Sequence, residues 1–192
     1  MGIMITNSRK KIDMPNNVIK TNWYIITGGP SSGKTTTVNL LKDRGYKTTV
    51  EHARHYIDTQ KIAGKTVEEI RKNQLLFQQG ILDMQIAQEQ ALSPDETIFL
   101  DRAIPDALAY YRFLKLSEDE KLQNAVHKFL YKKVLVLDPL PLVKDYARTE
   151  DEAAQKSIHT LLVQAYEELH YPVIHVPVLP PDERVDFILK NI

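Results

Sequence analysis

Apolar residues fall along this chain in two alternating patterns. Short runs at 23–27, 97–101 and 133–138 (Trp-Tyr-Ile-Ile-Thr, Thr-Ile-Phe-Leu-Asp and Lys-Val-Leu-Val-Leu-Asp) are apolar at nearly every position, as strands covered on both faces should be. Between them lie stretches with apolar positions three and four apart, the spacing of a helix with one buried face. The pattern predicts strands over 23–27, 46–51, 97–101, 133–138 and 172–176. It predicts helices over about 34–43, over 52–92 with a break near Gly64, from Ala103, from Ser117, over 150–170 and over 181–189. In the second of these Val67, Ile70, Phe77, Ile81 and Met84 share a face, and in the fifth Ala154, Ile158, Leu161, Leu162, Ala165 and Leu169 do. Gly45 stops the first helix, and Ser117 with Glu120 matches a capping box. Gly80, within a helical pattern, costs about 1 kcal/mol relative to Ala and either permits close packing or is merely tolerated. Strands alternating with helices predict an α/β fold built on a parallel sheet flanked by helices.

A length of 192 residues suits one domain. Residues 1–17 mix Asn, Ser, Lys and Pro without periodicity, so they read as a loose arm, leaving 18–192 as the domain. Lys plus Arg number 25 and so do Asp plus Glu. That balance removes any whole-molecule attraction to nucleic acid or anionic membrane, and no nucleic-acid partner is expected. The absence of cysteine excludes disulfide scaffolds, thiolate metal sites, iron–sulfur clusters and cysteine nucleophiles. No apolar run approaches the ~20 residues that span a bilayer, and Arg9, Lys10 and Lys11 have no apolar stretch behind them to make a secretory signal. The expectation is a soluble, cytoplasmic protein.

One stretch brings chemistry into this frame. Gly28, Gly29, Pro30, Ser31, Ser32, Gly33, Lys34 and Thr35 fit G-x-x-x-x-G-K-[ST] between a predicted strand and a predicted helix, the context a phosphate loop requires. Its glycines let successive N–H groups turn inward toward phosphate oxygens, and the following helix adds the positive end of its dipole. Lys34 would reach the β- and γ-phosphates, Thr35 would place its hydroxyl on Mg²⁺, and Thr36 would meet the α-phosphate. The expected fold is therefore that of the P-loop NTPases, with ATP as cofactor in preference to GTP, since no N/T-K-x-D string is present to read guanine.

Further candidates lie where strands end, the edge at which α/β sheets gather ligand chemistry. Asp101 ends the third predicted strand and either holds Mg²⁺ or caps the next helix. Arg102 beside it meets phosphate or forms a surface ion pair. Glu51 ends the second predicted strand as a base or hydroxyl orienter, and Arg54 follows as an anion anchor. Glu51, His52 and His55 would alternatively hold a transition metal, though no third ligand spacing is evident. Arg148, with Lys144 nearby, lies in the loop before the long helix; it supplies a cation to the transferred group or pairs with Glu150 or Asp151. Asp106 and Tyr110, one helical turn apart, line a pocket with Tyr111 or cover the core.

Taken together, Ile26-Thr-Gly-Gly-Pro-Ser-Ser-Gly-Lys-Thr35, Glu51-His-Ala-Arg54, Asp101-Arg-Ala-Ile-Pro-Asp106 with Tyr110, and Arg148-Thr-Glu150 resemble the AAA-like P-loop family. That family includes the nicotinamide riboside kinase domain of the NAD-biosynthesis regulator and the TRPL-translocation-defect proteins. The resemblance covers roughly residues 22–190. It implies a nucleoside-kinase-like, five-stranded parallel sheet, a lid about residues 139–150, ATP with Mg²⁺, and Glu51, Arg54, Asp106 and Tyr110 around a second substrate. One branch of the family phosphorylates nicotinamide riboside and another binds nucleotides and phosphoinositides, so the acceptor stays open. With no adenylyltransferase or DNA-binding segment beside the kinase-like one, a bifunctional regulator is not expected.

The sequence thus predicts a phosphotransferase that moves the γ-phosphoryl group of ATP to a small, nucleoside-like hydroxyl substrate. Its catalytic set would be Lys34, Glu51, Asp101, Arg102 and Arg148. The rival is a nucleotide-dependent switch that recognises a phosphoinositide or a protein partner, with peripheral lipid contact through the basic arm at 9–20.

Overall fold

The computed structural model describes residues 18–62, 64–142 and 151–192. The arm at 1–17, most of the expected lid, and Lys144, Arg148 and Glu150 lie outside the described residues.

Seven strands and eight helices are described: β1 (Ile19–Lys20), β2 (Trp23–Thr27), α1 (Lys34–Asp43), β3 (Lys47–Thr48), α2 (His52–Ile62), α3 (Val67–Lys72), α4 (Gln74–Ala91), β4 (Ile98–Asp101), α5 (Asp106–Phe113), α6 (Glu120–Val126), β5 (Phe129–Leu130), β6 (Lys133–Leu137), α7 (Glu152–Glu168), β7 (Val173–Val176) and α8 (Pro181–Lys190). Five strands form one sheet in the order β3-β4-β2-β6-β7, parallel throughout. This is the parallel α/β sheet that the apolar runs predicted. β2, apolar and fully buried, lies at its centre, so the loop that leaves β2 opens where the strand order reverses.

Strand alternation divides the core between the two faces. Trp23, Ile25, Leu100, Val134 and Val136 pack against α4, α5 and α7 through Leu82, Leu108 and Tyr166. Tyr24, Ile26, Phe99, Leu135 and Leu137 pack against α1 and α8 through Val38, Leu41, Val185 and Ile188. The two residues of β1 pair with β5 in a separate parallel ribbon; both elements are too short to show a period.

Several expectations are corrected. The strand expected over 46–51 is only Lys47–Thr48, and Glu51 lies just before α2 instead of ending a strand. Asp119, not Ser117, caps α6: it directly precedes the first turn and its carboxylate accepts from Leu122 N–H at 2.9 Å, a reach that a residue two positions earlier lacks. The helix expected from Ala103 begins at Asp106. The 52–92 stretch breaks twice, the second time at Asn73, whose side chain caps α4. α4 buries Phe77, Gln78, Leu82, Gln85 and Glu89, a stripe more polar than the expected one, while Ile81 and Met84 are only half-buried. Gly80 is a close-approach site: a Cβ there would lie 2.3 Å from Tyr56 Cε2 of α2.

Candidate active site

The turn after β2 is forced by its glycines. Gly28 has φ 144° and a Cβ on it would come within 2.6 Å of the Leu137 carbonyl oxygen. Ser31 at φ 52° and Gly33 at φ 80° complete the curl, Gly33 being the N-cap of α1. Such left-handed positions in one short loop turn its N–H groups inward.

Neighbouring elements hold the loop in that shape. Gln155 of α7 donates from Nε2 to the carbonyls of Pro30 (2.8 Å) and Leu140 (3.0 Å). Arg184 of α8 is a three-way strut: Nη1 donates to Ser32 O at 2.6 Å, Nη2 to Asp138 O at 3.0 Å and Nε to Pro177 O at 3.0 Å. Neither residue carries a motif signal. An Arg four residues into a terminal helix reads as a solvated cation, and only the tertiary fold turns it inward.

Lys34, on the first turn of α1, is folded back on the loop. Its Nζ donates to Gly28 O (3.0 Å), Gly29 O (2.8 Å) and Ser32 Oγ (3.1 Å). Burial, and then the Arg102 cation, draw its ammonium down to about 7, against the pull of Glu51, Asp101 and Asp106. Thr35 and Thr36 follow on the exposed side of the same turn.

Asp101 ends β4, beside Ile26 of β2. Its N–H donates to Thr49 Oγ1 at 2.9 Å. Burial, and then Glu51, push its carboxyl up to about 6, although Lys34 and Arg102 oppose them. Asp101 Oδ1 is buried without a hydrogen-bond partner among the described residues. A buried anionic oxygen left in this state suits the water shell of a hard divalent cation. Thr35 and Asp101 therefore fit Mg²⁺.

Arg102 adopts φ 66°, a left-handed conformation uncommon for a bulky residue. The turn directs its side chain inward, where Nη1 donates to Asp106 Oδ2 at 2.8 Å and the guanidinium lies 5.4 Å from the centre of the Tyr110 ring. Burial works against its charge but is outweighed by Tyr110, Asp106 and Glu51, so its pKa is raised. Glu51 lies 4.0 Å from Arg102 and 3.8 Å from Arg54. Asp106 accepts also from Thr27 Oγ1 (2.7 Å) and Tyr166 OH (2.6 Å). With both oxygens engaged, Asp106 holds Arg102 in place.

A cleft of about 120 Å³ opens beyond Lys34. Lys34, Glu51, Arg102, Asp106 and Tyr110 all line it, so most of the candidates converge on one space; Arg54 is not among its lining residues and pairs with Glu51, which is. Apolar lining comes from Phe77, Ile81, Ala107, Phe113 and Ile158. Gln78 and Gln85, 6% and 3% exposed, bring two amides to the same lining. His52 also lines the cleft, its Nδ1 buried and unpartnered. Burial, and then His55, draw its pKa down to about 4, so the ring is neutral. The two glutamines escaped the sequence reading because amides on a helix look like a solvated face.

A protein-family model described as an AAA domain matches residues 23–184. No curated protein sequence matches the chain significantly. Among solved structures, deoxyadenosine kinase from M. mycoides with bound dCTP superposes with a TM-score of 0.64 at 15% identity, covering 88% of this chain and 97% of that one. NadR protein in complex with NR gives 0.62 at 16% identity, covering 88% of this chain and 50% of that one, so the chain spans about half of NadR. At these identities the likeness is one of fold.

Proposed function

The chain belongs to this AAA domain family, and from that premise we propose that it is a P-loop phosphotransferase moving the γ-phosphoryl group of ATP to a hydroxyl of a small, nucleoside-like acceptor. The carrying observation is that Lys34 of the phosphate loop and Pro30 line the same cleft as Glu51, Arg102, the apolar side chains of Phe77, Ile81 and Ile158, and the amides of Gln78 and Gln85. An apolar slot with a few buried donors and acceptors suits a flat, amide-bearing ring. The neighbours named for deoxyadenosine kinase and for NR bound to NadR support this acceptor class.

Bound Mg²⁺, held by Thr35 and through water by Asp101, would supply charge neutralisation on the phosphates. The chain's own groups do the rest. Loop N–H groups and Lys34 grip the polyphosphate, and Lys34 exchanges its carbonyl partners for phosphate oxygens as it does so. Glu51, at the mouth of the cleft, orients the acceptor hydroxyl and takes its proton. Arg102, fixed by Asp106 and Tyr110, stabilises charge on the transferred group. Arg148, in the segment that precedes α7 in sequence, is a candidate for the same role. Catalysis of this kind is mainly positioning.

The test is ATP consumption across a panel of nucleosides, deoxynucleosides and nicotinamide riboside. One member should raise turnover sharply, and Lys34→Ala should lower kcat/KM by at least about 100-fold. Stimulation by no member, together with saturable binding to anionic vesicles, would favour a nucleotide-dependent switch instead.

A further inference from the structure

On the side of β2 away from Asp101, three elements bring a carboxylate and two imidazoles together. Asp138 directly follows β6, and residues two apart on a strand share a face, so Asp138 lies on the face of Val136. Val136 is in register with His175 of β7, which puts His175 on that face too. α7 covers the same face through Ala165 and Tyr166, and His159 stands two turns before Tyr166 on the same side of the helix. One ligand atom from each of Asp138, His159 and His175 lies within 4.8 Å of the other two. His175 Nδ1 is 3.5 Å from Asp138 Oδ1.

We propose that Asp138, His159 and His175 form a binding site for a divalent transition cation of the Zn²⁺ class, distinct from the Mg²⁺ position at Thr35 and Asp101. Bonds of about 2.0–2.2 Å in a tetrahedron place ligand atoms roughly 3.4 Å apart. The Asp138–His175 separation already has that length, and the His159 nitrogen lies within 4.8 Å of both. Two imidazoles with one carboxylate select Zn²⁺, Co²⁺ or Ni²⁺ over Mg²⁺, which prefers oxygen alone. Three protein ligands leave a coordination position for water. His159 also takes a long 3.5 Å bond from Gly29 N–H, so a cation here would sit against the phosphate loop.

The experiment is a titration of the full chain, cleared of metal by a chelator, with Zn²⁺ in excess Mg²⁺ and without nucleotide. Calorimetry reads stoichiometry and affinity; Co²⁺ absorbance reads the coordination. The expected result is one Zn²⁺ per chain in the micromolar range, with Co²⁺ bands of low coordination number. His175→Ala and Asp138→Asn should each weaken binding at least about tenfold, while Asp101→Asn leaves it unchanged. Because the His175 side chain is 54% exposed on an edge strand, its variant should keep the metal-free melting temperature. Binding only at millimolar Zn²⁺, or affinity unaltered in both variants, would overturn the proposal.

Discussion

Arg184 Nη1 donates to the carbonyl of Ser32 at 2.6 Å, linking the last helix to the middle of the phosphate loop across 152 residues of sequence. The same guanidinium holds Asp138 O and Pro177 O, so one planar fork fixes three backbone segments. Charged hydrogen bonds are each worth about 1.5–3 kcal/mol, and an acceptor left buried and unpaired costs more. Arg184→Ala should lower unfolding free energy by roughly 3 kcal/mol and weaken ATP binding at least about tenfold. Arg184→Lys should recover only part, since an ammonium cannot reproduce the fork. Chemical denaturation and nucleotide calorimetry read the two effects, and an Arg184→Ala protein with normal ATP affinity would show that the strut does not shape the phosphate loop.

Tyr56 and Gly80 give a test whose sign reverses with background. Ala is favoured over Gly in a helix by about 1 kcal/mol, yet a Cβ at Gly80 meets the Tyr56 ring at 2.3 Å. The ring must swing away from its edge contact with Phe77 and expose apolar surface, a cost of roughly 1–3 kcal/mol. Gly80→Ala should therefore destabilise the wild-type protein. In a Tyr56→Ala background the same change should stabilise. Equal effects in the two backgrounds would mean that the two residues do not couple.

The legible parts of this molecule are those where local pattern and tertiary role coincide. β2, its glycine loop and α1 could be placed to the residue because an unbroken apolar run, a spaced pair of glycines and a following Lys-Thr each have few other uses. Asp101 and Arg102 were placed for the same reason. Glu51 lines the cleft from a different element than the pattern predicts: the chain leaves the sheet after Thr48, and Glu51 lies just before α2. Gln78, Gln85 and Tyr166 were invisible because helical periodicity counts apolar positions, and here polar side chains occupy the buried stripe. The Asp138, His159 and His175 grouping joins residues up to 37 positions apart through strand register, which no local pattern encodes.

Asp101 supplies a prediction that separates charge from fold. Its Oδ1 has no hydrogen-bond partner among the described residues, while the backbone N–H that holds this strand end bonds Thr49. Asp101→Asn removes an anion but leaves that bond in place. The variant should fold and melt within about 1 kcal/mol of wild type. It should need several-fold more Mg²⁺ for half-maximal turnover and lose about 100-fold in kcat. Unchanged Mg²⁺ dependence would move the metal ligand elsewhere.

Glu89 gives the clearest pH test of the buried core. Its carboxyl accepts from Ile104 N–H at 2.9 Å and meets Tyr131 OH at 2.7 Å, and burial pushes its pKa up to about 8. Below the unfolded value near 4.5 both states hold the proton and the group costs nothing. Between there and about 8 the unfolded chain releases the proton while the folded one keeps it, so stability falls as pH rises, by about 1.4 kcal/mol per unit at the steepest. Glu89→Gln keeps an acceptor for Ile104 and a donor for Tyr131 but cannot ionise. The variant should match wild type near pH 4 and exceed it near pH 8, because Asp101 and the other groups remote from Glu89 contribute equally to both proteins. Denaturation curves that stay parallel across this range would show that Glu89 is ionised in the folded protein.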